Sequence, residues 1–257
     1  MLRFVAAGLL DLLAPPTCAA CGLAHEGTQN AQAHDGHRER EPAYAAHAAS
    51  LANDSHGATA TGFCAACAVL IERAPSAMRP PAQHAAATLY QGPMADAIRA
   101  FKYGPNSSLA YCLSRWLVDS ALHYAGRIDA VVPMPLHTAR LRERGWNPST
   151  LLARPVARAL ALPLRPSWLQ RVRPTATQAG LSRTARQQNV RGAFQAARVP
   201  TARVLLIDDV HTTGATLQEA TRCLEARGHQ VSSLALAWAA DTATADVEHS
   251  GVGALTE

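Results

Sequence analysis

Residues 203–217 constrain the fold of this chain more than any other stretch. They read Arg-Val-Leu-Leu-Ile-Asp-Asp-Val-His-Thr-Thr-Gly-Ala-Thr-Leu. The apolar run Val204–Ile207 predicts a short strand buried on both faces, as in the middle of a parallel sheet. Leu217–Arg227 predicts a helix that Gly228 ends. Because ligands of open α/β sheets bind outside the carboxyl ends of the strands, we expect a site at this junction.

The turn between this strand and this helix has the chemistry of an anion site. Backbone N–H groups at the start of a helix have no partner within the helix, and the helix dipole favours negative charge there. Threonine hydroxyls add further donors. The sequence therefore predicts a phosphate cradle made of Thr212, Thr213, Gly214, Ala215 and Thr216.

Two carboxylates, Asp208 and Asp209, come just before the cradle. A phosphate would repel them, so we expect them to accept hydrogen bonds from sugar hydroxyls, directly or through a hydrated Mg²⁺. A phosphate beside a vicinal diol describes a ribose 5-phosphate. The ordered pattern resembles the phosphoribosyl pyrophosphate (PRPP) binding signature of type I phosphoribosyltransferases.

Two other interpretations of this stretch were weighed. A P-loop nucleotide triphosphatase also uses paired carboxylates, but it needs a glycine-rich loop that ends in Lys-Ser or Lys-Thr. The chain has a single lysine, Lys102, and a tyrosine follows it, which excludes that class. A polar strand-to-helix turn capped by threonine, without any ligand, remains the alternative.

The charge of the chain suits a polyanionic ligand. Its 257 residues, 48% of them hydrophobic, have room for one α/β domain and an accessory element. The net charge is +5, and residues 127–191 contain twelve arginines against only Asp129 and Glu143. Such a segment fits a pyrophosphate or a nucleic-acid backbone. A solvated arginine-rich surface is the alternative.

The first residues do not have the pattern of a secretory signal. Met1–Pro16 contains one basic residue, carries Asp11 within its apolar run and lacks a small-residue cleavage site. The run is also too short to span a membrane. Its leucines recur at helical spacing, which predicts a short amphipathic helix and, with it, a cytoplasmic protein without a membrane span.

Four of the six cysteines form two Cys-x-x-Cys pairs, Cys18/Cys21 and Cys64/Cys67. Two such pairs can complete a tetrahedral site with four sulfur ligands, so we expect a structural Zn²⁺. The intervening stretch, at about residues 22–63, is poor in large apolar residues and is typical of a disordered insertion. A redox pair or a disulfide is the alternative, and a cytosolic location disfavours it.

Basic residues elsewhere could complete an anion site. Ile128–Val132 predicts a second buried strand, and a basic loop after it carries Arg140 and Arg144, whose guanidinium groups match phosphate oxygens. Asn147 and Pro148 predict the start of a helix. Lys102 is a candidate ligand of the substrate because a compact ammonium stands there in a chain that otherwise uses arginine.

Three motifs of this chain carry a resemblance to a known family. They are Pro133-x-Pro135-Leu136-His137-x-x-Arg140-x-x-x-Arg144-Gly145-Trp146-Asn147, then Arg173-x-Thr175-x-x-Gln178-x-x-Leu181-x-x-x-x-Arg186-x-x-Asn189-Val190-x-Gly192-Ala193-Phe194, and the PRPP signature. In these motifs and in their order the chain resembles the ComF family, which includes the ComFC and GntX-like proteins. It departs from the family at Pro148-Ser149, where the family usually has Gln-Ala, and in the insertion between the cysteine pairs; Pro155 predicts a kink or a late start of the following helix.

The resemblance implies an α/β chain with the type I phosphoribosyltransferase fold, a central and mostly parallel twisted sheet with helices on both faces. Residues 1–80 would hold the N-terminal helix and the four-cysteine zinc element, 81–240 the phosphoribosyltransferase-like domain and 241–257 a flexible tail. The family is linked to DNA uptake in natural transformation. Residues 173–194 would correspond to the loop that closes over PRPP; a plain surface helix is the alternative.

Two classes of function follow. In an enzyme, PRPP with Mg²⁺ would bind through the residues above, with Asp208, Asp209 and Arg144 as the catalytic candidates, because such catalysis depends on positioning and on electrostatic stabilisation of the leaving pyrophosphate. In a DNA-binding competence factor, the same surface would hold single-stranded DNA and contact other competence proteins. Trp146 and Phe194 are then the best candidates for base stacking.

Overall fold

The structure is a computed structural model that describes residues 17–22, 62–104, 109–174, 183–212 and 214–239. The expected N-terminal helix, most of the 22–63 insertion and the 241–257 tail lie outside the described residues. Part of the 173–194 segment does as well.

The described residues alternate strands and helices along the chain. The strands are β1 (His84–Leu89), β2 (Ala130–Pro133), β3 (Leu169–Arg171), β4 (Phe194–Ala196), β5 (Arg203–His211) and β6 (Gln230–Trp238). The α-helices are α1 (Ala65–Ala68), α2 (Gly92–Tyr103), α3 (Leu109–Ala121), α4 (Thr138–Arg144), α5 (Pro148–Ala159), α6 (Arg183–Val190) and α7 (Ala215–Glu225), with single 3₁₀ turns at Ser76–Met78, Leu122–Tyr124 and Pro166–Trp168.

Four strands form a parallel central sheet in the order β1-β6-β5-β2. In β5, Ile207 pairs with Pro133 of β2 on one side and with Leu234 of β6 on the other. The short strands β3 and β4 pair antiparallel outside this sheet. The prediction of an α/β chain with a mostly parallel sheet is confirmed.

Helices cover both faces of the sheet because β5 alternates its apolar side chains between two cores. Leu205 and Ile207 pack with α2, α3 and α5 on one face. Val204 and Leu206 pack with α7 and the β3-β4 pair on the other. The expectation that this strand is buried on both faces is therefore confirmed.

Several element bounds differ from those expected. Strand β5 continues to His211, so both aspartates lie within the strand and not after it. The expected basic loop that carries Arg140 and Arg144 is helix α4, which His137 caps through its Nδ1, 3.3 Å from the backbone N–H of Ala139. Helix α5 already begins at Pro148, so a late start caused by Pro155 is wrong. Strand β1 was not expected as a strand.

The fold places a crevice at the carboxyl edge of the sheet. The chain leaves β5 towards α7 on one face, whereas it leaves β2 through α4 towards α5 on the other. Connections that diverge in this way open a gap between neighbouring parallel strands, which is where ligands of open α/β sheets bind.

Candidate functional site

A cleft of about 670 Å³ opens at this edge of the sheet. Volumes of this order hold small-molecule ligands. Its walls come from the end of α2, the segment between β2 and α5, the end of β3 and the turn from β5 to α7. The predicted site residues that line it are Lys102, Arg140, Arg144, Asp208, Asp209, Thr212, Gly214 and Thr216.

The bend between β5 and α7 is tight and depends on Gly214. This residue has φ +77°, and a Cβ built on it would lie 2.9 Å from Nε2 of His211. A larger residue would therefore be strained and crowded at this position. Its carbonyl accepts the first helical hydrogen bond, from the backbone N–H of Gln218 at 2.7 Å. Helix α7 consequently starts at the cleft with its N-terminal N–H groups at that end.

One predicted cradle residue, Ala215, does not line the cleft. Ala215 is buried and contributes only its place in the first turn of α7. Thr213 lies outside the described residues. Thr212 is exposed at the mouth of the bend. The cradle is therefore open towards the cleft, and its role in phosphate binding stays a prediction.

The two aspartates sit in different electrostatic surroundings. Asp209 forms an ion pair with Lys102, with Nζ 2.6 Å from Oδ1, and both side chains are largely shielded from solvent, at 15% and 19% exposed. Asp208 accepts a hydrogen bond at 3.2 Å from the hydroxyl of Ser149 and another at 2.9 Å from the backbone N–H of Asp209. Among the described residues, Asp209 but not Asp208 therefore has a cationic side chain in direct contact.

These surroundings change the pKa of Asp208 and the pKa of Lys102. Burial, followed by the charge of Asp209, raises the pKa of Asp208 to about 7, although Lys102 opposes the shift. Burial alone would lower the pKa of Lys102, but the Asp209 carboxylate outweighs it and raises this pKa above its usual value. The lysine is consequently charged at neutral pH, while Asp208 titrates close to neutrality.

Cationic side chains outnumber the acids along the cleft. Within the described part of the chain, four Lys or Arg side chains and two Asp side chains line it. Burial lowers the pKa of Arg171, and the nearby charges of Arg140 and Arg173 lower it further. Because like charges are gathered in one place, the cleft is suited to an anionic ligand.

The exposed aromatic surface differs from the one expected. Phe194 is only 7% exposed, and Trp146 is half-buried with its indole nitrogen enclosed. Tyr103 instead lies at the rim of the cleft and is 75% exposed. The guanidinium of Arg144 lies 5.3 Å from the centre of its ring, a cation–π arrangement. Phe194 is therefore poorly placed for stacking, and the stacking role expected for Trp146 and Phe194 stays a prediction.

The four predicted metal ligands come together away from the cleft. The sulfurs of Cys18, Cys21, Cys64 and Cys67 all lie within 4.8 Å of one another. The first pair closes a turn in which Gly22 N–H donates to the Cys18 carbonyl at 3.0 Å, and the second leads into α1. The four thiols could hold a metal ion. Cys18, Cys64 and Cys67 pack on the core that covers one face of the sheet, whereas Cys21 is exposed.

Sequence reasoning missed several residues of the cleft. Ser149 had been noted only as a departure from the family pattern, yet it contacts Asp208. Arg171, Tyr103 and His211 also line the cleft. The dense arginine content of residues 127–191 was the signal that could have pointed to Arg171. Tyr103 follows Lys102 and His211 precedes Thr212, so their position beside predicted site residues was a signal. Nothing in the local sequence pointed to Ser149.

The comparisons with known proteins first define the class. Residues 148–253 match the model of the phosphoribosyl transferase domain. Together with the parallel sheet and its helices on both faces, this match shows that the chain carries a phosphoribosyl transferase domain of the type I fold.

Curated relatives narrow this class. The chain is 34% identical over 148 residues to competence protein F of Haemophilus influenzae, which covers 54% of this chain and 65% of that protein. It is 34% identical over 145 residues to the DNA utilization protein YhgH of Escherichia coli K12, which covers 54% and 64%. The chain thus matches slightly less than two thirds of the length of each. These homologues confirm the resemblance to the ComF family.

Solved structures of phosphoribosyltransferases are also similar to this chain. Glutamine PRPP amidotransferase from B. subtilis has 19% identity and a TM-score of 0.37, covering 53% of this chain and 30% of that chain. Adenine phosphoribosyltransferase from Thermoanaerobacter pseudethanolicus has 16% identity and a TM-score of 0.34, covering 54% of this chain and 72% of that chain.

No helix among the described residues is both long and apolar enough to cross a bilayer.

Proposed function

We propose that this protein binds PRPP, or another ribose 5-phosphate, together with Mg²⁺ and serves DNA uptake in natural transformation. The observation that carries the proposal is the arrangement of the cleft. One contiguous segment of β5 and α7 presents an acid pair beside a helix N-terminus, and Arg140 and Arg144 face this segment across the same cleft.

Each part of the cleft has a task in this proposal. The 5-phosphate binds at the bend around Thr212 and Thr216, where helix N–H groups and hydroxyls favour an anion. The ribose hydroxyls donate to Asp208 and Asp209. The pyrophosphate lies towards Arg140 and Arg144, whose guanidinium forks match phosphate oxygens.

The same arrangement supports phosphoribosyl transfer. A nucleophile forms a bond to the anomeric carbon while the bond from that carbon to the pyrophosphate oxygen breaks, and the electron pair leaves with the pyrophosphate. The arginines of α4 stabilise the departing charge, and the acids hold the ribose so that the anomeric carbon faces the acceptor. Mg²⁺, when bound, would neutralise part of the pyrophosphate charge, and Asp208 and Asp209 are the carboxylates available near it.

The link to DNA uptake rests on the relatives. Proteins named competence protein F and DNA utilization protein are homologous to about half of this chain. We propose a corresponding role here, in the cytoplasm and in contact with other competence proteins.

A second candidate function is the binding of single-stranded DNA without turnover. The exposed ring of Tyr103 beside Arg144 favours it, because aromatic and guanidinium planes stack on bases. The excess of cationic groups in the cleft suits a phosphate backbone.

Calorimetric titrations with PRPP plus Mg²⁺, and with single-stranded DNA over a salt series, separate the two candidates. Arg144→Ala should weaken PRPP binding by about tenfold or more, as expected for a lost charge-assisted contact. Arg158→Ala is the matched control, because this exposed arginine of α5 does not line the cleft. DNA binding that weakens steeply with salt, without PRPP binding, supports the second candidate. If the protein binds neither ligand, both proposals fail.

We further propose that the cysteine cluster holds a structural Zn²⁺. With Zn–S bonds of about 2.3 Å, the edge of a sulfur tetrahedron is about 3.8 Å. The sulfurs of Cys21 and Cys64 are 3.8 Å apart, which fits such an edge. Elemental analysis of the purified protein should find one zinc per chain, and Cys64→Ser should lose it. A wild-type protein without zinc contradicts the proposal.

A further inference from the structure

The ammonium of Lys102 has a fixed place beside the acid pair. Lys102 is the only lysine in the chain, and it ends α2 with Nζ 2.6 Å from Oδ1 of Asp209. Its side chain is 19% exposed, whereas Arg99, one turn earlier in the same helix, is 55% exposed. Lys102 was expected to contact the substrate, but in this structure it contacts an acid.

Two adjacent carboxylates in a partly closed cleft need a cation. Their mutual repulsion and their loss of water both oppose ionisation, and a positive charge close by counteracts both effects. An ionised acid accepts stronger hydrogen bonds from sugar hydroxyls than a protonated one. Lys102 supplies such a charge from outside β5, at the C-terminal end of a helix, where a cation is favoured.

The donor set around the acids does not form a cage for a divalent ion. Among the described residues, the cysteine cluster is the group of three or more Cys, His, Asp or Glu ligands that could hold a metal, and no third such ligand joins Asp208 and Asp209. Lys102 already occupies one carboxylate oxygen of Asp209. Mg²⁺ demands six oxygen ligands near octahedral geometry and usually binds through substrate phosphates, so the acids alone fit it poorly.

We infer that Lys102 is the built-in cation of this acid pair, so that the protein binds the ribose 5-phosphate unit without a divalent ion. Mg²⁺ then enters only with the pyrophosphate of PRPP. This inference rests on the proposed pentose phosphate function. Lys102 acts through Asp209 and is therefore a positioning residue.

Ribose 5-phosphate is the probe, because it lacks the pyrophosphate that chelates Mg²⁺. Its affinity is measured by calorimetry in Mg²⁺ and in EDTA. Wild type should bind equally under both conditions. Lys102→Met should lose about tenfold or more in EDTA, the size expected for a lost close charge, and should recover in Mg²⁺. Lys102→Arg keeps the charge and should retain at least part of the binding in EDTA.

Arg99→Met is the matched control on the same helix. This residue pairs with Asp96 on the surface and does not line the cleft, so its loss should change neither affinity nor ion dependence. A wild-type affinity that falls in EDTA overturns the inference. A Lys102→Met protein with no greater dependence on Mg²⁺ than wild type overturns it as well.

A second measurement keeps the inference separate from the proposed function. If wild type binds PRPP with Mg²⁺ but no ribose 5-phosphate, the inference is overturned; if it binds neither PRPP with Mg²⁺ nor ribose 5-phosphate under either condition, the proposed function fails. Mn²⁺ binding to the zinc-loaded protein, followed by electron paramagnetic resonance, then decides about Lys102. Lys102→Met should bind Mn²⁺ at a site that is absent from wild type. The double variant Lys102→Met/Asp209→Asn should lose this Mn²⁺ site. If no such site appears, Lys102 is not a built-in cation.

Discussion

The two ends of strand β5 carry ion pairs of equal length in unlike surroundings. At its start, Arg203 pairs with Asp129 at 2.6 Å, and the two side chains are 44% and 45% exposed. Near its other end, Asp209 pairs with Lys102, also at 2.6 Å, but both side chains are below 20% exposed. The strand therefore offers an internal comparison between a surface pair and a shielded one.

The comparison shows that contact distance does not define what an ion pair does. Arg203 also donates its backbone N–H to Asp129 at 2.8 Å and a guanidinium N–H to the Gly126 carbonyl at 3.1 Å, so this pair fastens the start of β5 to the segment before β2. The pair in the cleft has instead a second acid beside it, whose pKa is raised to about 7. The Arg203–Asp129 pair therefore links the start of β5 to the segment before β2. The Lys102–Asp209 pair places opposite charges side by side within the cleft.

Removing the acid at each end should give the largest contrast. Asp209→Asn should weaken ribose 5-phosphate binding by about tenfold to a hundredfold, because it removes a charge-assisted acceptor for the sugar hydroxyls. Asp129→Asn, an identical change at the other end, should leave the affinity unchanged. Calorimetry on both variants measures this difference. Equal losses of affinity would show that the acids of the cleft have no special role.

Removing the cation at each end should give the next largest contrast, in stability. Lys102→Met should lower the free energy of unfolding by about 2 kcal/mol near neutral pH, because it leaves a shielded carboxylate without its partner. Arg203→Met should cost less, since water already screens its pair. Urea unfolding curves of both variants compare the two ends. A larger loss in Arg203→Met would reverse the ranking.

Sequence reasoning located the cleft because its central segment is contiguous. The strand, the acids, the bend and the helix follow one another within residues 203–225, and each has a local signature. The partners of the acids come from distant elements. Lys102 reaches Asp209 from α2, and Ser149 reaches Asp208 from α5, because both helices pack on the same face of the sheet. No local pattern encodes that packing.

The aromatic residues show the same limit for exposure. Residue type alone suggested Trp146 and Phe194 for stacking, but Phe194 belongs to the short strand β4 and packs in the core beneath α7. Tyr103 is exposed because α2 ends there, while the preceding Phe101 is buried on the opposite side of the helix. Which aromatic faces water thus depended on how each element is oriented on the sheet.

The pH dependence of stability offers a third contrast. Asp208 has an ordinary pKa of 3.8 and a folded pKa of about 7, so the folded protein holds more protons than the unfolded chain between these values. The free energy of unfolding should therefore fall as pH rises from about 4 to 7, as linkage requires. Asp208→Asn should remove this decrease.

Urea unfolding over a pH series measures the difference between wild type and Asp208→Asn. Burial also lowers the pKa of His84 and of His211 below the ordinary value of 6.5, so only the difference between the two proteins isolates Asp208. Parallel pH profiles would mean that Asp208 is ionised throughout and that the two ends of β5 are more alike than the structure indicates.

The smallest contrast concerns salt at the exposed end. The hydrogen bonds from Arg203 lower the pKa of Asp129 to about 2, so its contribution to stability is present above the ordinary value of 3.8 and disappears as pH falls through about 2. At neutral pH, the small loss caused by Asp129→Asn should shrink further in concentrated salt, because exposed charges are screened. The loss caused by Lys102→Met should change little under the same conditions, because its pair is shielded. Thermal unfolding of both variants at low and high salt tests this difference. An equal salt dependence would mean that water screens the Arg203–Asp129 pair and the Lys102–Asp209 pair alike, and it would contradict the distinction between an exposed and a shielded pair.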